Sequence, residues 1–295
     1  MMSLIYAEPS RGKTLAAIAA CPDAAIATPK AEAVLGPAAL YGLDLSDQVT
    51  VVSSARDVAA WAKESRGRPR ILDDISDIME REFTVIERSQ QYENDYAELN
   101  LRWLPLLRRF AEKSTVDSPP MIMTAWAKQP AKIKDIAGDK QLQPGGWAAP
   151  GAKMRSTLPG LCTHYLRVAA EEPPTAAWPF AFQTAPTKLW EARCRTPSSV
   201  PEAIPMALSA LYRAAGYECA PMFPGQADLR SAAVDILSGD DRASMSKELE
   251  KVFTGVVASG VLPHAAAYAV TEAKVVLALR DHQKNLTSNI LSSFC

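Results

Sequence analysis

The stretch Ala7-Glu8-Pro9-Ser10-Arg11-Gly12-Lys13-Thr14 has the residue types and spacing of a phosphate-binding loop. Such a loop presents backbone N–H groups and a helix N-terminus to an anion. Glu8, Pro9, Ser10, Arg11, Gly12, Lys13 and Thr14 are therefore the candidate nucleotide-binding residues. Lys13 is placed to bridge the β- and γ-phosphates of ATP, and the Thr14 hydroxyl to hold Mg²⁺. Two positions depart from the common pattern. Ala7 stands where Gly usually opens such loops, and Ser10 where many carry another glycine. Alanine serves at the opening position when its φ is negative.

Carboxylates and hydroxyls further along could complete a site. Asp73 closes a second apolar run, Arg70-Ile71-Leu72, and there can hold the water shell of a nucleotide-bound Mg²⁺. The competing reading is a strand-end Asp that caps the following helix. Asp74 could orient or activate the attacking water, or cap that helix; both readings stand. Thr124, at the end of a later strand, sits where a γ-phosphate sensor would, or it simply ends the strand. Arg193 and Arg195 could neutralise developing charge on a nucleotide held by a neighbouring subunit, or be two exposed strand-end arginines.

The segment from Trp126 to Arg155 carries Lys128, Lys132, Lys134, Lys140, Lys153 and Arg155 against Asp135 and Asp139, with Trp126 and Trp147 among them. Phosphate attraction with base stacking is the recipe for holding single-stranded nucleic acid. A solvated, charge-rich loop is the plainer alternative.

Stepping outward, the elements needed to hold these residues follow from apolar patterning. A short apolar run precedes the loop and an alanine-rich helix, Leu15 to Ala20, follows it. Strands are expected at Ala24–Thr28, Gln48–Ser53, the run before Asp73 and Met121–Ala125. Ala55–Glu64 and most of Ile75 to Phe110 read as helix. This alternation predicts a parallel sheet covered by helices on both faces. Lys128 to Pro159, punctuated by Gly and Pro, reads as a long loop. Tyr165–Ala169, Phe180–Thr184 and Lys188–Arg193 read as antiparallel strands, and Pro201–Ala215 as a helix. Asp228–Leu237, Arg242–Ala258 and Ala265–His282 read as three further helices. Pro221 to Gly225 is the expected boundary between a nucleotide-binding unit, 1–220, and a helical region, 226–295.

Composition bounds the rest. The 295 residues are 48% hydrophobic and 22% charged, enough to bury a core. A net charge of −1 gives no global pull toward nucleic acid, so any such contact must be a local patch. The five cysteines, Cys21, Cys162, Cys194, Cys219 and Cys295, form no C-x-x-C pair and read as reduced cytosolic thiols. Three scattered histidines argue against a zinc site. No signal peptide is expected, because the chain opens directly on the strand before the loop. No membrane span is expected either: the nearest stretch, from Val252 to Leu279, is interrupted by Pro263, His264, Glu272 and Lys274.

Taken in order, these features resemble the RecA-like recombination ATPases of bacteriophages, the Sak group. Members carry a Gly-Glu-Pro-Gly-type loop near the N-terminus, matched here by residues 7–14. Their Asp-ended strand is matched by Ile71-Leu72-Asp73-Asp74-Ile75-Ser76, and a strand ending Thr-Ala-His by Met123-Thr124-Ala125-Trp126, with Trp126 in place of His. A Pro-Gly loop and a Leu-Pro-Gly stretch look similar to Pro150-Gly151 and Leu158-Pro159-Gly160. A Lys-x-Arg element is similar to Arg193-Cys194-Arg195. The resemblance covers residues 3–217. It implies a RecA-like P-loop core, α/β with a mostly parallel sheet, that uses ATP and Mg²⁺. It further implies action on single-stranded DNA in phage recombination or replication, self-association into a ring or filament, and a location in the (host) cytoplasm. The alternative is a structural or assembly protein that retains the nucleotide-binding fold with weak or no hydrolysis. A small-molecule phosphotransferase is a third reading, for which no substrate-lid signature is visible.

Overall fold

The computed structural model describes residues 1–89, 91, 94–113, 115, 118–134, 140–170, 180–195 and 200–292. The chain opens with β1 (Met2–Ala7), every residue of which is buried, and turns through the loop into α1 (Lys13–Ala20). There follow β2 (Ala25–Thr28), α2 (Glu32–Ala39), β3 (Val49–Val51), α3 (Ala55–Glu64) and β4 (Arg70–Leu72). Next come α4 (Ile75–Ser89), α5 (Asp95–Glu112) and β5 (Met121–Lys128). Local sequence sets several of these boundaries. The Ser54 side chain accepts from Asp57 N at 3.2 Å to start α3, and Asn94 accepts from Ala97 N at 3.0 Å to start α5. In α5, Leu99, Trp103, Leu107 and Phe110 form one buried stripe, while Pro105 lies on the exposed side.

The segment expected to be one long loop is instead structured. It holds a hairpin, β6 (Ala131–Lys134) with β7 (Lys140–Gln143), then β8 (Gly146–Trp147) against β5, and a helix, α6 (Ala152–Leu161). Glycine and proline do not break α6: Gly151 precedes it at φ 78°, Pro159 falls in its last turns, and Met154 and Leu158 anchor it in the core. Asp135 and Asp139, and the side chains of Lys134 and Lys140, lie outside the described residues, as does Cys295.

The remaining elements are β9 (His164–Ala170), β10 (Phe180–Gln183), β11 (Arg193–Cys194), β12 (Ala203–Pro205), α7 (Leu208–Ala214), α8 (Gln226–Leu237), α9 (Arg242–Ala258) and α10 (Pro263–Ser292). Three expectations need correction. β9 runs antiparallel to β10 and β11 as expected, but it joins the sheet by pairing parallel to β1. Of the expected strand Lys188–Arg193, only Arg193 enters a ladder, as the first residue of β11, apart from a bridge at Trp190. The expected helix from Pro201 begins at Leu208, because residues 203–205 pair with β10 and are held extended.

The main sheet runs β12-β10-β9-β1-β5-β4-β2-β3, with β11 added on β9 and β8 on β5. From β9 to β3 the path is parallel. Period-two alternation sends Ile5, Ile26, Ile71 and Ile122 to one face, under α1, α2 and α7. Leu4, Tyr6, Leu72 and Met123 go to the other, under α3, α4, α5 and α6. The C-terminal helices join the first of these cores: Leu229, Ala265 and Tyr268 pack in the same cluster as Ile5 and Leu211. There the buried Glu272 accepts from Ser209, Arg213 and Gln226, tying α10 to α7 and α8. No described helix is long and apolar enough to cross a membrane.

On the second face, Glu82 of α4 is buried and accepts from Ala55 N at 2.8 Å, Trp103 Nε1 at 2.8 Å and Arg102 Nη1 at 3.1 Å. It joins α3, α4 and α5. Glu82→Ala leaves a buried indole N–H and a backbone N–H unsatisfied, so it is expected to lower stability by about 2–4 kcal/mol. Denaturant unfolding checks this; a loss within the ±0.5 kcal/mol typical of a surface substitution contradicts it.

Candidate phosphate-binding site

The loop between β1 and α1 has the backbone of an anion cradle. Gly12 takes φ 75° and supplies the first helical acceptor, to Ala16 N at 2.9 Å. Met206 Cε lies 3.1 Å from where a Cβ on Gly12 would sit, a tight contact that a small shift of the methionine tip relieves, so the positive φ is what requires glycine here. Ser10 has φ 61° and is alone among the described non-glycine residues in having a positive φ. Other loops commonly place glycine at that position because it is left-handed; this chain accepts the strain in a serine. Ala7 has no positive φ, as its tolerance at the opening position required.

Lys13 is buried and its ammonium donates to Ala7 O at 3.3 Å and Glu8 O at 3.1 Å. Burial pulls its pKa down, opposed by the charges of Asp74, Asp73 and Glu8. Thr14 donates to both oxygens of Asp73, at 2.9 and 3.1 Å, and Thr124 donates to Asp73 Oδ1 at 2.5 Å. Lys13, Thr14, Asp73 and Thr124, far apart in sequence, thus meet at the C-terminal ends of β1 and β4. β5 runs on to Lys128, so Thr124 lies within the strand and not at its end as expected, and it reaches Asp73 from there. The edge beyond β1 and β4 is where open α/β sheets bind ligands. Asp73 faces the loop, and it is Asp74 that caps α4, accepting from Ser76 N at 2.7 Å.

The Thr124 hydroxyl is engaged with Asp73, so it positions the carboxylate. Burial raises the pKa of Asp73 against the hydrogen bonds of Thr124 and Thr14 and the charge of Lys13. Asp74 is pushed up to about 7, by burial first and then by the neighbouring Asp73 charge. A buried carboxylate and a half-buried one beside a single buried lysine leave negative charge only partly compensated. That donor set has the chemistry of a divalent-cation site, with Thr14 and Asp73 the residues that would hold the ion.

The surroundings hold residues that sequence reasoning missed. Glu8 accepts from Arg11 Nε at 3.2 Å and from Gln129 Nε2 at 2.8 Å; the Gln129 bond contributes most to holding the Glu8 carboxyl below its ordinary range. Arg167 stands opposite Tyr6 in the β1–β9 ladder, its guanidinium 3.8 Å from the Trp190 ring centroid. Knowing that β9 runs parallel beside β1 would have identified it. Pro9 and Arg11 lie in the loop, with Arg11 over the Phe180 ring at 6.0 Å.

Arg193 and Arg195 are not brought to this site. Arg193 pairs with Tyr165 at the start of β9, and Arg195 N donates to Thr163 O, beyond the start. They lie at the opposite edge of the sheet, exposed, with Arg195 Nη2 donating to Gly160 O at 3.1 Å.

The predicted nucleic-acid segment divides. Trp147 is fully buried, its indole donating to Arg155 O at 3.1 Å, and is unavailable for stacking. Trp126 is 38% exposed and opposes Ala7 in the β1–β5 ladder. It lines a cleft of about 280 Å³ with Phe83, Tyr96, Lys128 and Arg155, in which Phe83 and Tyr96 stack at 4.6 Å.

The loop, the carboxylate strand and the strand inserted between them form a mostly parallel α/β core: β5 separates β1 from β4, and all three run parallel. No protein-family model matches the sequence, and no curated protein does. Among solved structures, the chain is similar to a KaiC-like protein of the hyperthermophilic archaeon Pyrococcus horikoshii OT3, at 11% identity and a TM-score of 0.36, covering 61% of this chain and 75% of that one. It is also similar to an ATPase from the type III secretion system of pathogenic bacteria, at 13% identity and a TM-score of 0.41, covering 94% and 79%. Both likenesses are too distant to bear on the site, whose description rests on the geometry above.

The Asp74 environment gives a signed prediction. Its carboxyl moves from an ordinary 3.8 to about 7 on folding, so the folded state binds the extra proton between those values. Stability from this group is therefore present near pH 4 and lost as pH rises through about 7. Asp74→Asn keeps an oxygen for Ser76 N and removes the titration. Unfolding free energies at pH 5 and pH 8 should show the variant gaining on the parent at the higher pH. Parallel pH profiles for the two proteins would sink the assignment.

Proposed function

We propose that this protein is a Mg²⁺-dependent RecA-like ATPase that acts on single-stranded DNA, in the manner its resemblance to phage recombination ATPases implies. The observation that carries the reading is the convergence of Lys13, Thr14, Asp73 and Thr124 on one point at the C-terminal edge of the sheet. The loop N–H groups and Lys13 bind the phosphates, and Lys13 exchanges its backbone carbonyl partners for phosphate oxygens. Thr14 and Asp73 hold the metal, which supplies charge neutralisation on the β- and γ-phosphates when bound. Asp74, with its pKa near neutrality, is the residue suited to take a proton from water.

Two further features support the finer reading. The cleft of Trp126, Tyr96, Lys128 and Arg155 joins aromatic faces to cations beside the nucleotide edge, which suits a stacked base and its phosphate. Arg193 and Arg195 lie on the edge opposite the loop. In a head-to-tail ring or filament, opposite edges of successive subunits meet, and these arginines then reach the neighbour's nucleotide.

Lys13→Ala is expected to lower ATP turnover by at least about 100-fold, the loss associated with removing one preorganised charge contact to the reacting group. Circular dichroism should stay unchanged. Turnover at the parental rate would show that the loop is not the nucleotide site, and tight ATP binding without turnover in the parent would favour the assembly-protein alternative.

Separately, Trp126→Ala with Arg155→Gln should weaken binding of an oligothymidylate by about 10-fold or more, as loss of one stacking platform and one charge predicts. Unchanged affinity measured by fluorescence anisotropy would move the DNA contact elsewhere.

A further inference from the structure

A second concave site lies at the edge of the sheet remote from the loop. A cavity of about 490 Å³ opens between the C-terminal ends of α3 and α5, the turn at 66–68 and the first residue of β4. Lys63, Arg66, Arg68, Arg70, Arg109 and Lys113 line it, and no acidic residue does. Glu64 and Glu112, adjacent in sequence, are exposed and outside its lining, and Asp117 lies outside the described residues. None of the six cations makes an ion pair with a described residue. In a chain of net charge −1, six cations converging without a counter-charge is a local segregation that repels itself.

Helix termini explain part of it. Lys63, Arg109 and Lys113 sit at the carbonyl ends of α3 and α5, where cations are favoured. They leave Arg66, Arg68 and Arg70 unexplained. Arg68 reaches Asp23 O at 2.8 Å and Gln48 Oε1 at 3.4 Å, neither of them charged. Arg70 is half-buried, with one long bond to Ala62 O at 3.4 Å and its guanidinium 5.5 Å from the Phe110 ring centroid. Its Nε is buried with no hydrogen-bond partner among the described residues. A buried N–H donor is almost always satisfied, so this orphan, with the single long bond to Ala62 O, leaves the Arg70 guanidinium under-partnered at the wall of the cavity.

We propose that this cavity binds a ligand carrying several adjacent phosphates, either a length of nucleic-acid backbone or a free oligophosphate. Guanidinium forks pair with phosphate oxygens through two parallel hydrogen bonds, and the lysines add point charges. The assignment is independent of the reading of the loop, because it uses none of the same residues.

The test is calorimetric titration of inorganic tripolyphosphate into the full chain bearing Lys13→Ala, which removes the loop lysine. Binding should persist, weaken steeply with salt, and fall about tenfold or more when Arg66→Glu and Arg109→Glu are added, as loss of charge-assisted contacts requires. Both side chains are exposed, and the milder Arg66→Gln with Lys113→Gln should give the same direction with an unchanged circular dichroism spectrum. An oligothymidylate of ~12 nucleotides, spanning a typical single-strand site, then distinguishes the sources. Displacement of tripolyphosphate from the cavity identifies a nucleic-acid backbone, and failure to displace it identifies a free oligophosphate. No binding in the Lys13→Ala chain, or equal binding after both pairs of substitutions, overturns the proposal.

Discussion

The buried carboxylate of Asp73 is the constraint around which the candidate site is built. A carboxylate out of water is costly unless hydrogen bonds and opposite charge compensate it. Here Thr14 brings in the head of α1, Thr124 brings in β5, and Lys13 supplies the positive charge. Those partners fix the loop relative to the strand ends. Asp74 acts on the loop through charge alone, opposing the depression of the Lys13 pKa; its hydrogen bond caps α4, and burial beside Asp73 raises its own pKa.

Strand order makes that convergence possible. Inserting β5 between β1 and β4 sets the loop and Asp73 two strands apart, close enough for one threonine to bridge them. It also brings Thr124 under Asp73 and Trp126 beside the loop's opening residue. The same parallel arrangement sends the beginnings of β4 and β9 to the other edge. Arg70 with its basic cavity, and Arg193 and Arg195, accordingly sit there. The two edges of one sheet thus differ in charge character: the first mixes buried and half-buried carboxylates with Lys13, Arg11 and Arg167, and the second gathers cations without a counter-charge. Near-neutral net charge conceals this separation, because the sum over the chain cancels what topology separates.

Packing on the two faces is similarly divided. Glu82 organises α3, α4 and α5 through three donors, and Glu272 organises α7, α8 and α10 through Ser209, Arg213 and Gln226. Each is a single buried carboxylate placed where several helices would otherwise meet only through apolar contact. Such groups add directional bonds that fix how the helices sit on the sheet.

The sequence by itself determined what is local. The strand–loop–helix around Lys13, the alternation of β and α through β5, the span of α3 behind its Ser54 cap, and the whole of α9 are set by neighbours in the chain. Asp73 and Thr124 were legible because each ends an apolar run. Tertiary structure decided whatever depends on a distant partner. The β1–β9 ladder, which places Arg167 beside the loop, joins residues more than 150 positions apart, a pairing that apolar patterning alone does not specify. Burial turned Trp147 from a candidate stacking residue into core, and core contacts made a helix of the proline- and glycine-bearing segment 152–161. The six cations of the remote cavity come from four separate elements, so their convergence exists only once β4 is seated beside β5. Local rules choose a residue's backbone state; which charges face one another is settled by how the sheet is ordered.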